Sequence, residues 1–520
     1  MNNVTNRFVN ISLSLSDILT EAYTDSLCRA KAVIEDKPES YYKAIANEKI
    51  EFYPEAFQQK LLNMIPKIGT KILEVPLENT ADGAATTSFN SAFSANQSPL
   101  IGKGYFKITE DGTLQAVTKS EHYHAPLGHD FPGYQLLENA KKLGISNVTH
   151  NNTRGFITRL LEQELVRIAN GLYGTDANLE EIVANAPEQA MTKVINLQTG
   201  SLAVEAGMKM MLARFYVSDP GMGIEPEYKD RIPVFIVMAD YTGGKQANYH
   251  GTTVLTQTMR DLWPGLYQKF EQAEAYKVVA TPINDIDAFR AIVKSYDTGK
   301  YKIAGFFHEL ILMNYGGITL HKDFLQKAHE ICHTHDIPTL VDEIQSCLWA
   351  PDHFLYKEYG LHPDFVSVGK GFPGGQYASS KILLTEKMDN LNQFGALVTN
   401  GQEDLASLAY LITIIFSHEN REITKQIGEY YEAELKKLAA KYSAVINKIE
   451  GLRHLSALVF KSAETAAEFA ATIRSRGYDI SAQTYKANCP PAALTKIPLI
   501  ADKELVDAFI ACMDDVLKSY

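Results

Sequence analysis

The sequence predicts an α/β protein built around a largely parallel sheet flanked by helices. In the middle of the chain, short β-branched apolar runs alternate with longer segments of helical periodicity, which is typical of successive strand–helix–strand units. The length of 520 residues exceeds what one hydrophobic core supports, so we expect two or more lobes. With 45% hydrophobic and 22% charged residues, the composition is that of a folded globular protein.

The sequence of the amino-terminal part of the chain predicts helices followed by a loop. Residues 1–76 contain segments such as Ser16–Val33 and Pro54–Ile65, in which apolar residues recur at helical spacing. Between Glu78 and Pro99, small and polar residues predominate and the periodicity is lost. This stretch therefore predicts a loop or a domain junction.

Strand-like runs follow the junction. Tyr105–Ile108 and Leu114–Val117 flank Asp111-Gly112, a turn dipeptide that favours a β-hairpin. Strands of the α/β region are predicted at Val234–Met238, Val278–Ala280, Ile303–Phe307, Thr339–Val341 and Phe365–Val368. Because ligands of parallel sheets bind beyond the carboxyl ends of the strands, we expect a binding site at the ends of these strands.

The carboxyl-terminal region returns to a mainly helical pattern. Helical periodicity extends from Asp404 to Ala440, Ser456–Phe460 resembles a strand, and a last helix begins at Lys503. We therefore expect a helical extension with its loop junction, the first part of a small domain, a large domain, and the second part of the small domain. Their predicted bounds are 1–100, 101–160, 161–403 and 404–520.

Charge and cysteine usage narrow the expected partners. The net charge of −12 and the pI near 5.7 argue against a nucleic-acid or anionic membrane surface, so a small-molecule substrate fits better. The five cysteines include no C-x-x-C pair, which argues against a metal site or a disulfide framework. The start lacks a signal-peptide pattern, and no apolar run approaches the ~20 residues that span a bilayer. We expect a cytoplasmic protein.

An acid and a lysine follow two successive predicted strands. Asp342 lies in L-V-D-E-I-Q-S, and Lys370 stands between glycines in P-D-F-V-S-V-G-K-G, 28 residues later. Taken singly, each has an ordinary explanation, because aspartates often cap helices and lysines are mostly surface residues. At successive strand ends, however, the two groups are expected to face one crevice.

Pyridoxal 5'-phosphate requires such a pair. A lysine amine forms a Schiff base with this cofactor, and a carboxylate keeps the pyridine nitrogen protonated. The chain here resembles the class-III, ornithine/4-aminobutyrate-like, aminotransferases. Their D-E-x-Q, G-x-x-P-D and strand-Lys signature is matched by Asp342, Gln345, Gly360, Pro363, Asp364 and Lys370.

The resemblance covers roughly residues 101–520, including Leu127–Tyr134, which matches the family's L-G-H-x-x-P element. It implies pyridoxal-phosphate fold type I. This fold has a large domain with a mostly parallel seven-stranded sheet, and a small α/β domain built from amino- and carboxyl-terminal parts.

A glycine turn opens a predicted helix at Gln198–Lys209. Free backbone N–H groups at a helix start form an anion site, although a glycine and serine there are most often an ordinary cap. In the family resembled, G-S-E-A-x-E-A holds the cofactor phosphate, which assigns that role to Gly200 and Ser201. Leu202 replaces the family's usual acid, so the interpretation rests on the backbone and Ser201.

Two further motifs resemble cofactor-binding elements of the family. Asn248–Thr253 matches the aromatic-His-Gly element, which implies that Tyr249 covers one face of the cofactor, the alternative being a buried tyrosine in a turn. Glu309 matches the acid of the E-P strand end and would lie near the substrate side, although Leu310 replaces the proline. Gln345 would hydrogen-bond near the phenolic oxygen of the cofactor ring, unless it is a plain surface glutamine.

The segment Ala396–Ala406 resembles S-T-F-G-G-N-P-L-A of the family, with a poorly kept centre. This match implies that Thr399 reaches the cofactor phosphate of a neighbouring subunit. A homodimer would then be part of the chemistry.

The substrate is the least predictable part of the site. Arginine binds carboxylates best, and Arg154 and Arg453 are candidates, with surface salt bridges as the alternative. The family's G-x-G-R after D-E-x-Q is replaced by Cys347–Asp352, and the acid that often follows the E-P strand by Asn314 or its neighbours. These departures put an ornithine- or aminobutyrate-type specificity in doubt.

Three functions are compatible with these residues. The resemblance implies a transaminase that moves an amino group from an amine or amino acid to a keto acid by a ping-pong mechanism. An aminomutase or a decarboxylase would use the same Lys370, Asp342 and phosphate loop, and product analysis would separate them. A non-catalytic scaffold with this fold is the third alternative, which retention of both Lys370 and Asp342 argues against.

Overall fold

The chain folds into two compact units. In a computed structural model, residues 7–74, 77, 83–94, 96–119, 124–484, 486 and 488–520 are described. The first unit contains residues 1–143, 419–484 and 490–520, and the second contains 144–418 and 485–489. The predicted loop junction lies partly outside the described residues, at 78–82 and 95.

The second unit is organised around a seven-stranded sheet. Its strands in chain order are β1 (Met191–Leu197), β2 (Ile232–Met238), β3 (Lys277–Thr281), β4 (Tyr301–His308), β5 (Thr339–Asp342), β6 (Phe365–Val368) and β7 (Ser380–Thr385).

The strand order across the sheet is β1-β7-β6-β5-β4-β2-β3. Only β7 runs antiparallel to its neighbours, β6 and β1, whereas the other pairs are parallel. Val341 of β5 lies opposite His308 of β4 and Val366 of β6, so these three central strands end close together. The loops after β4, β5 and β6 therefore share one edge of the sheet, where ligands of parallel sheets bind.

Helices and one short strand pair connect the strands of the second unit. The first helix after β1, α1, spans Gly200–Leu212. Its buried face contributes Ala203, Val204, Met208 and Met211 to the core that also holds Leu340, Phe365 and Ile382 of the sheet. The short strands Ile311–Leu312 and Ile318–Thr319 pair with each other. The remaining helices are Asn151–Thr153, Phe156–Ala169, Leu179–Asn185, Pro220–Met222, Val254–Thr258, Pro264–Gln272, Ile286–Tyr296, Lys322–Thr334, Leu355–Glu358, Glu386–Met388, Gln393–Ala396 and Asp404–Glu419.

The first unit combines helices with three small antiparallel sheets. In sheet order, the four-stranded sheet contains Ile446–Leu452, Leu455–Phe460, Ala492–Lys496 and Ser481–Gln483. The other sheets contain Pro99–Lys103, Phe106–Thr109 and Leu114–Ala116, and the pair Ser12–Leu13 with Ile50–Glu51. The helices are Leu15–Leu19, Glu21–Glu35, Glu39–Ala46, Glu55–Met64, Ile65–Lys67, Thr87–Asn90, Pro132–Tyr134, Gln135–Lys142, Arg421–Lys441, Ala463–Ser475 and Lys503–Leu517.

These elements confirm the predicted α/β class and the five predicted strands of the central sheet. The hairpin around Asp111-Gly112 is also present, between Phe106–Thr109 and Leu114–Ala116. The large domain was predicted to span residues 161–403. The main segment of the second unit spans residues 144–418, so it is longer at both ends. Residues 1–100 belong to the same unit as most of the carboxyl-terminal region.

The described part of the chain contains neither a membrane-spanning helix nor a metal-binding cluster. None of its helices has the length and apolar character needed to cross a bilayer. Within the same residues, no group of three or more His, Cys, Asp or Glu side chains is arranged to hold a metal ion. All five cysteines are free thiols.

Candidate active site

Lys370 lies in the loop that leaves β6. Gly369 separates it from the strand, and a Cβ on this glycine would come within 2.2 Å of Ser380 Oγ, so a larger residue would have to displace the Ser380 side chain. Lys370 itself has φ of +33°, in the left-handed region that residues other than glycine rarely adopt. Outliers of this kind cost about 1–3 kcal/mol and concentrate at functional sites. Burial lowers the pKa of its amine, although the charges of Glu309 and Asp342 oppose this.

Asp342 is the last residue of β5 and is 4% exposed. Its Oδ1 accepts hydrogen bonds from Ser367 Oγ (2.7 Å) and from the backbone N–H of Ile344 (3.2 Å). Its Oδ2 lies 3.1 Å from Nδ1 of the buried His250, which donates to it when the aspartate is ionised. Three donors thus fix the orientation of this carboxylate, as a precisely placed electrostatic group requires.

The start of α1 meets the loop of Gly251. Thr252 donates its backbone N–H to Ser201 Oγ at 3.1 Å. Gly251 has φ of +116°, and a Cβ there would lie 2.6 Å from Ser201 Cα, so glycine is required on both counts. Because the first N–H groups of a helix have no partner inside the helix, this junction is suited to an anion.

Glu309 comes directly after β4 and is 2% exposed. Neither of its carboxylate oxygens has a hydrogen-bond partner among the described residues. Burial and the charge of Asp342 raise its pKa well above the usual range, whereas Lys486, Lys370 and Arg260 act in the opposite direction. A carboxyl group in this environment favours its neutral form.

Tyr249 is partly buried, and the guanidinium carbon of Arg260 lies 4.9 Å from the centroid of its ring. This spacing is that of a cation–π contact. Gln345 is buried in the loop after Asp342. Lys370, Asp342, Glu309, Gln345, Tyr249, Gly200 and Ser201 all belong to the second unit.

The remaining predicted site residues lie elsewhere on the chain. Thr399 is exposed, and its carbonyl oxygen accepts a hydrogen bond from Gln402 Nε2 at 2.7 Å. Arg154 pairs with Glu162 at 3.1 Å. Arg453 belongs to the first unit, in the turn between two strands, where its backbone N–H donates to Glu432. The carboxylate-binding roles of the two arginines stay predictions.

Four residues near Lys370, Asp342 and Glu309 were not predicted from the sequence: His250, Ser367, Arg260 and Lys486. His250 was within the recognised aromatic-His-Gly motif, which offered a signal, and Ser367 is a polar residue inside an apolar strand. Arg260 and Lys486 belong to no motif. Lys486 lies in the short segment 485–489 that groups with the second unit although its flanking residues belong to the first.

Comparison with known proteins agrees with this architecture. The class-III aminotransferase family model matches residues 133–517. Acetylornithine aminotransferase from Methanocaldococcus jannaschii is 24% identical over 396 residues, which cover 75% of this chain and 90% of the relative. The 5-aminovalerate aminotransferase of Pseudomonas putida is 23% identical over 414 residues, with 74% and 90% covered.

The solved structures show the same fold. An ornithine aminotransferase structure from Toxoplasma gondii, described as having partial occupancy of PLP at its active site, superposes with a TM-score of 0.64. It is 17% identical, and the alignment covers 83% of this chain and 93% of that one. The sheet and the helices around it therefore have the type I fold of pyridoxal-phosphate aminotransferases. The chain belongs to the class-III aminotransferase family, and it is a transaminase.

Proposed function

We propose that the protein binds pyridoxal 5'-phosphate on Lys370 and transfers an amino group from an amine or amino acid to a keto acid by a ping-pong mechanism. One observation carries the proposal. A partly buried lysine amine of lowered pKa and an aspartate fixed by three donors occur at adjacent strand ends. This combination supplies both the attachment point and the ring-nitrogen partner that the cofactor requires.

The residues present fit this cofactor. Ser201 Oγ, which accepts from Thr252, and the first N–H groups of α1 would hold its phosphate, and Asp342, which lies beside His250, would accept from its ring nitrogen. Tyr249 would cover one ring face, Gln345 would lie near the phenolic oxygen, and Glu309 near the substrate side. The bare carboxyl of Glu309 supports this assignment, because a buried polar group without a partner marks a place where a ligand can supply one.

When bound, pyridoxal phosphate acts as an electron sink for the bond broken at the substrate carbon. Lys370 would hold the cofactor until a substrate amine replaced it, which would free the lysine amine. The freed Lys370 amine would carry a proton from the substrate carbon to the cofactor carbon, and its lowered pKa leaves more of it in the basic form at neutral pH. Asp342 would stabilise a positive charge at the ring nitrogen, and a keto acid would reverse these transfers in the second half-reaction.

We also propose a homodimer in which Thr399 contacts the cofactor phosphate of the partner subunit. The exposure of Thr399 supports this, because its hydroxyl is accessible to another chain. Lys381 donates to the carbonyl oxygen of Gly401 and Gln402 to that of Thr399, so the backbone of this loop is fixed on both sides.

We also propose a cytoplasmic location. The five free thiols fit a reducing compartment, which supports it.

A Lys370→Ala variant tests the function. The wild-type protein is expected to show a visible cofactor absorption that borohydride reduces to a stable protein-bound form. In Lys370→Ala we expect no reducible covalent link and a loss of transfer to a second keto acid of ~10²–10⁴-fold or more, the usual contribution of a positioned general base. Lys294→Ala, an exposed lysine of the same unit, is the matched control.

The outcomes are distinct. A Lys370→Ala protein with an unchanged chromophore and unchanged amino transfer would refute the assignment of Lys370. Product analysis separates the transaminase from an aminomutase or decarboxylase, because only transamination makes a second keto acid into its amine.

A further inference from the structure

Two cations near Lys370, Asp342 and Glu309, a group called here the Lys370 cluster, have no acid partner among the described residues. They are Arg260 and Lys486. The Arg260 guanidinium lies over the Tyr249 ring, and its buried Nε has no hydrogen-bond partner among the described residues. The Lys486 ammonium lies 6.0 Å from the centroid of the Tyr315 ring and donates to the carbonyl oxygens of Gln246 and Asn314. No carboxylate in the described part of the chain forms an ion pair with either cation.

The electrostatic balance of this region is positive. Arg260 and Lys486 both act on Glu309, and their charges favour its ionised form, but burial and Asp342 prevail and the carboxyl favours the neutral state. Burial and the nearby Arg260 lower the pKa of Lys486 to about 8, so the ammonium is still mostly charged at neutral pH. Asp342 supplies one negative charge near Arg260 and Lys486, which supply two positive charges, so the balance among these three groups is positive.

An uncharged hydrogen-bond donor completes the arrangement. Asn314 accepts at its carbonyl oxygen from Lys486, and its side-chain Nδ2 is buried without a partner among the described residues. A guanidinium fork, an ammonium and an amide N–H are together the donors that a carboxylate uses best. Stacking on Tyr249 restrains the Arg260 guanidinium, which reduces the entropy lost when it binds a ligand.

We propose that Arg260 and Lys486 bind an acid group of the amino donor, so that the substrate of this transaminase is an amino acid and not a simple amine. The inference deepens the proposed function and rests on it. It assigns specificity to two residues other than Arg154, which already has Glu162 as a partner, and Arg453, which belongs to the first unit.

Binding of an unreactive acid tests the site directly. Glutarate carries two carboxylates and no amine, and glutaramide is its uncharged counterpart. Calorimetry on the cofactor-loaded protein should give a glutarate dissociation constant that rises roughly 10- to 100-fold in Arg260→Gln and about 10-fold in Lys486→Met, as expected for losing a hydrogen bond to a charged group. Arg260→Lys should recover part of the affinity, and glutaramide binding should not change.

Arg290→Gln is the matched control. Arg290 is a surface arginine of the same unit that pairs with Asp287, so this variant removes one positive charge away from the cluster. It should bind glutarate as the wild type does. If Arg260→Gln folds poorly or loses cofactor through its contact with Tyr249, Lys486→Met decides the question, because Lys486 contacts a different ring.

Donor kinetics provide the second measurement. The ratio of kcat/KM for 5-aminopentanoate to that for pentan-1-amine should fall at least 10-fold in both variants, mainly through KM for the acid. Unchanged glutarate affinity in both variants, or equal losses for the two donors, would overturn the inference. A wild type that binds glutarate through Arg260 but transfers no amino group would instead overturn the proposed transaminase chemistry alone.

Discussion

Two buried glutamates, at the ends of neighbouring strands, have opposite environments. Glu309 follows β4 and Glu343 follows Asp342 of β5, and they are 2% and 0% exposed. Burial raises the pKa of both carboxyl groups. The side chain of Glu343 accepts hydrogen bonds from Ser346 Oγ and the backbone N–H of Tyr356, each at 2.6 Å, whereas the carboxyl group of Glu309 accepts none among the described residues.

The difference in hydrogen bonding indicates that Glu343 has a structural role and Glu309 a functional one. A buried polar group left without partners costs about 1–3 kcal/mol, so a fold retains one only where something else offsets that cost. The hydrogen bonds of Glu343 connect the loop that begins after Asp342 to the helix Leu355–Glu358. The carboxyl group of Glu309 has no hydrogen-bond partner among the described residues and is influenced by the charges of Lys370, Arg260 and Lys486. We therefore expect Glu343 to affect stability and Glu309 to affect chemistry.

The largest expected effect is on stability. Glu343→Ala removes two hydrogen bonds and leaves the buried N–H of Tyr356 without an acceptor, so the free energy of unfolding should fall by about 3 kcal/mol. Denaturant titration of the purified protein measures this change. A loss below about 1 kcal/mol would contradict the architectural role.

Glu343→Gln is the control for ionisation. The pKa of Glu343 is raised from 4.5 to about 7, so the folded state holds its proton more tightly than the unfolded state, and stability decreases as pH rises from 4.5 through 7. The amide can still accept from Tyr356 but cannot ionise. In Glu343→Gln this pH-dependent loss should therefore be absent, and at pH 8 the variant should be at least as stable as wild type.

The next largest effect concerns Glu309. Glu309→Gln keeps the shape of a carboxyl group that favours its neutral form, so unfolding free energy should change by less than about 1 kcal/mol. Amino transfer should fall by roughly 10- to 100-fold, because the amide cannot exchange a proton or take a negative charge beside the cations. Steady-state kinetics and denaturant titration on the same preparation check both parts. A destabilised but fully active variant would reverse the comparison.

The smallest effect lies on the surface, at Thr399. Thr399→Ala should raise the dissociation constant of pyridoxal phosphate about 3- to 10-fold, the effect of one hydrogen bond, and leave stability unchanged because the side chain is exposed. Equilibrium dialysis measures the affinity, and sedimentation shows whether the protein is a dimer. Thr298→Ala, another exposed threonine of this unit, is the control. Equal affinity in both variants, or a monomer, would remove Thr399 from the site.

The central sheet was predictable where its strands are uniformly apolar. Val234–Met238 and Phe365–Val368 lie within β2 and β6, because β-branched residues fit a sheet that is covered on both faces. Neither the edge strand β1 nor its antiparallel neighbour β7 was predicted. The apolar run of β7 contains Lys381, which is fully buried and donates to Ser379 Oγ and to the carbonyl oxygen of Gly401. A buried lysine is rare, and only its tertiary partners explain it.

Local motifs revealed the groups that act on the cofactor but not those that would select the substrate. Lys370, Asp342 and Ser201 each lie at a strand end or a helix start, where backbone geometry imposes short sequence patterns. Arg260 lies after the short helix Val254–Thr258, and Lys486 is far from every motif. Neither position imposes a backbone pattern, so their proximity to Glu309 is a product of tertiary folding alone.

The position of Lys486 within the five-residue segment 485–489 has a consequence for biosynthesis. Lys370 leaves the ribosome 116 residues before Lys486, a delay of roughly 6 to 23 seconds at ordinary translation rates. The groups proposed to hold the cofactor are therefore all synthesised while one of the proposed recognition cations is still missing. A nascent chain at that stage carries Arg260 but lacks Lys486, so the proposed acid-recognition site is completed only after every proposed cofactor contact of the same chain has been synthesised.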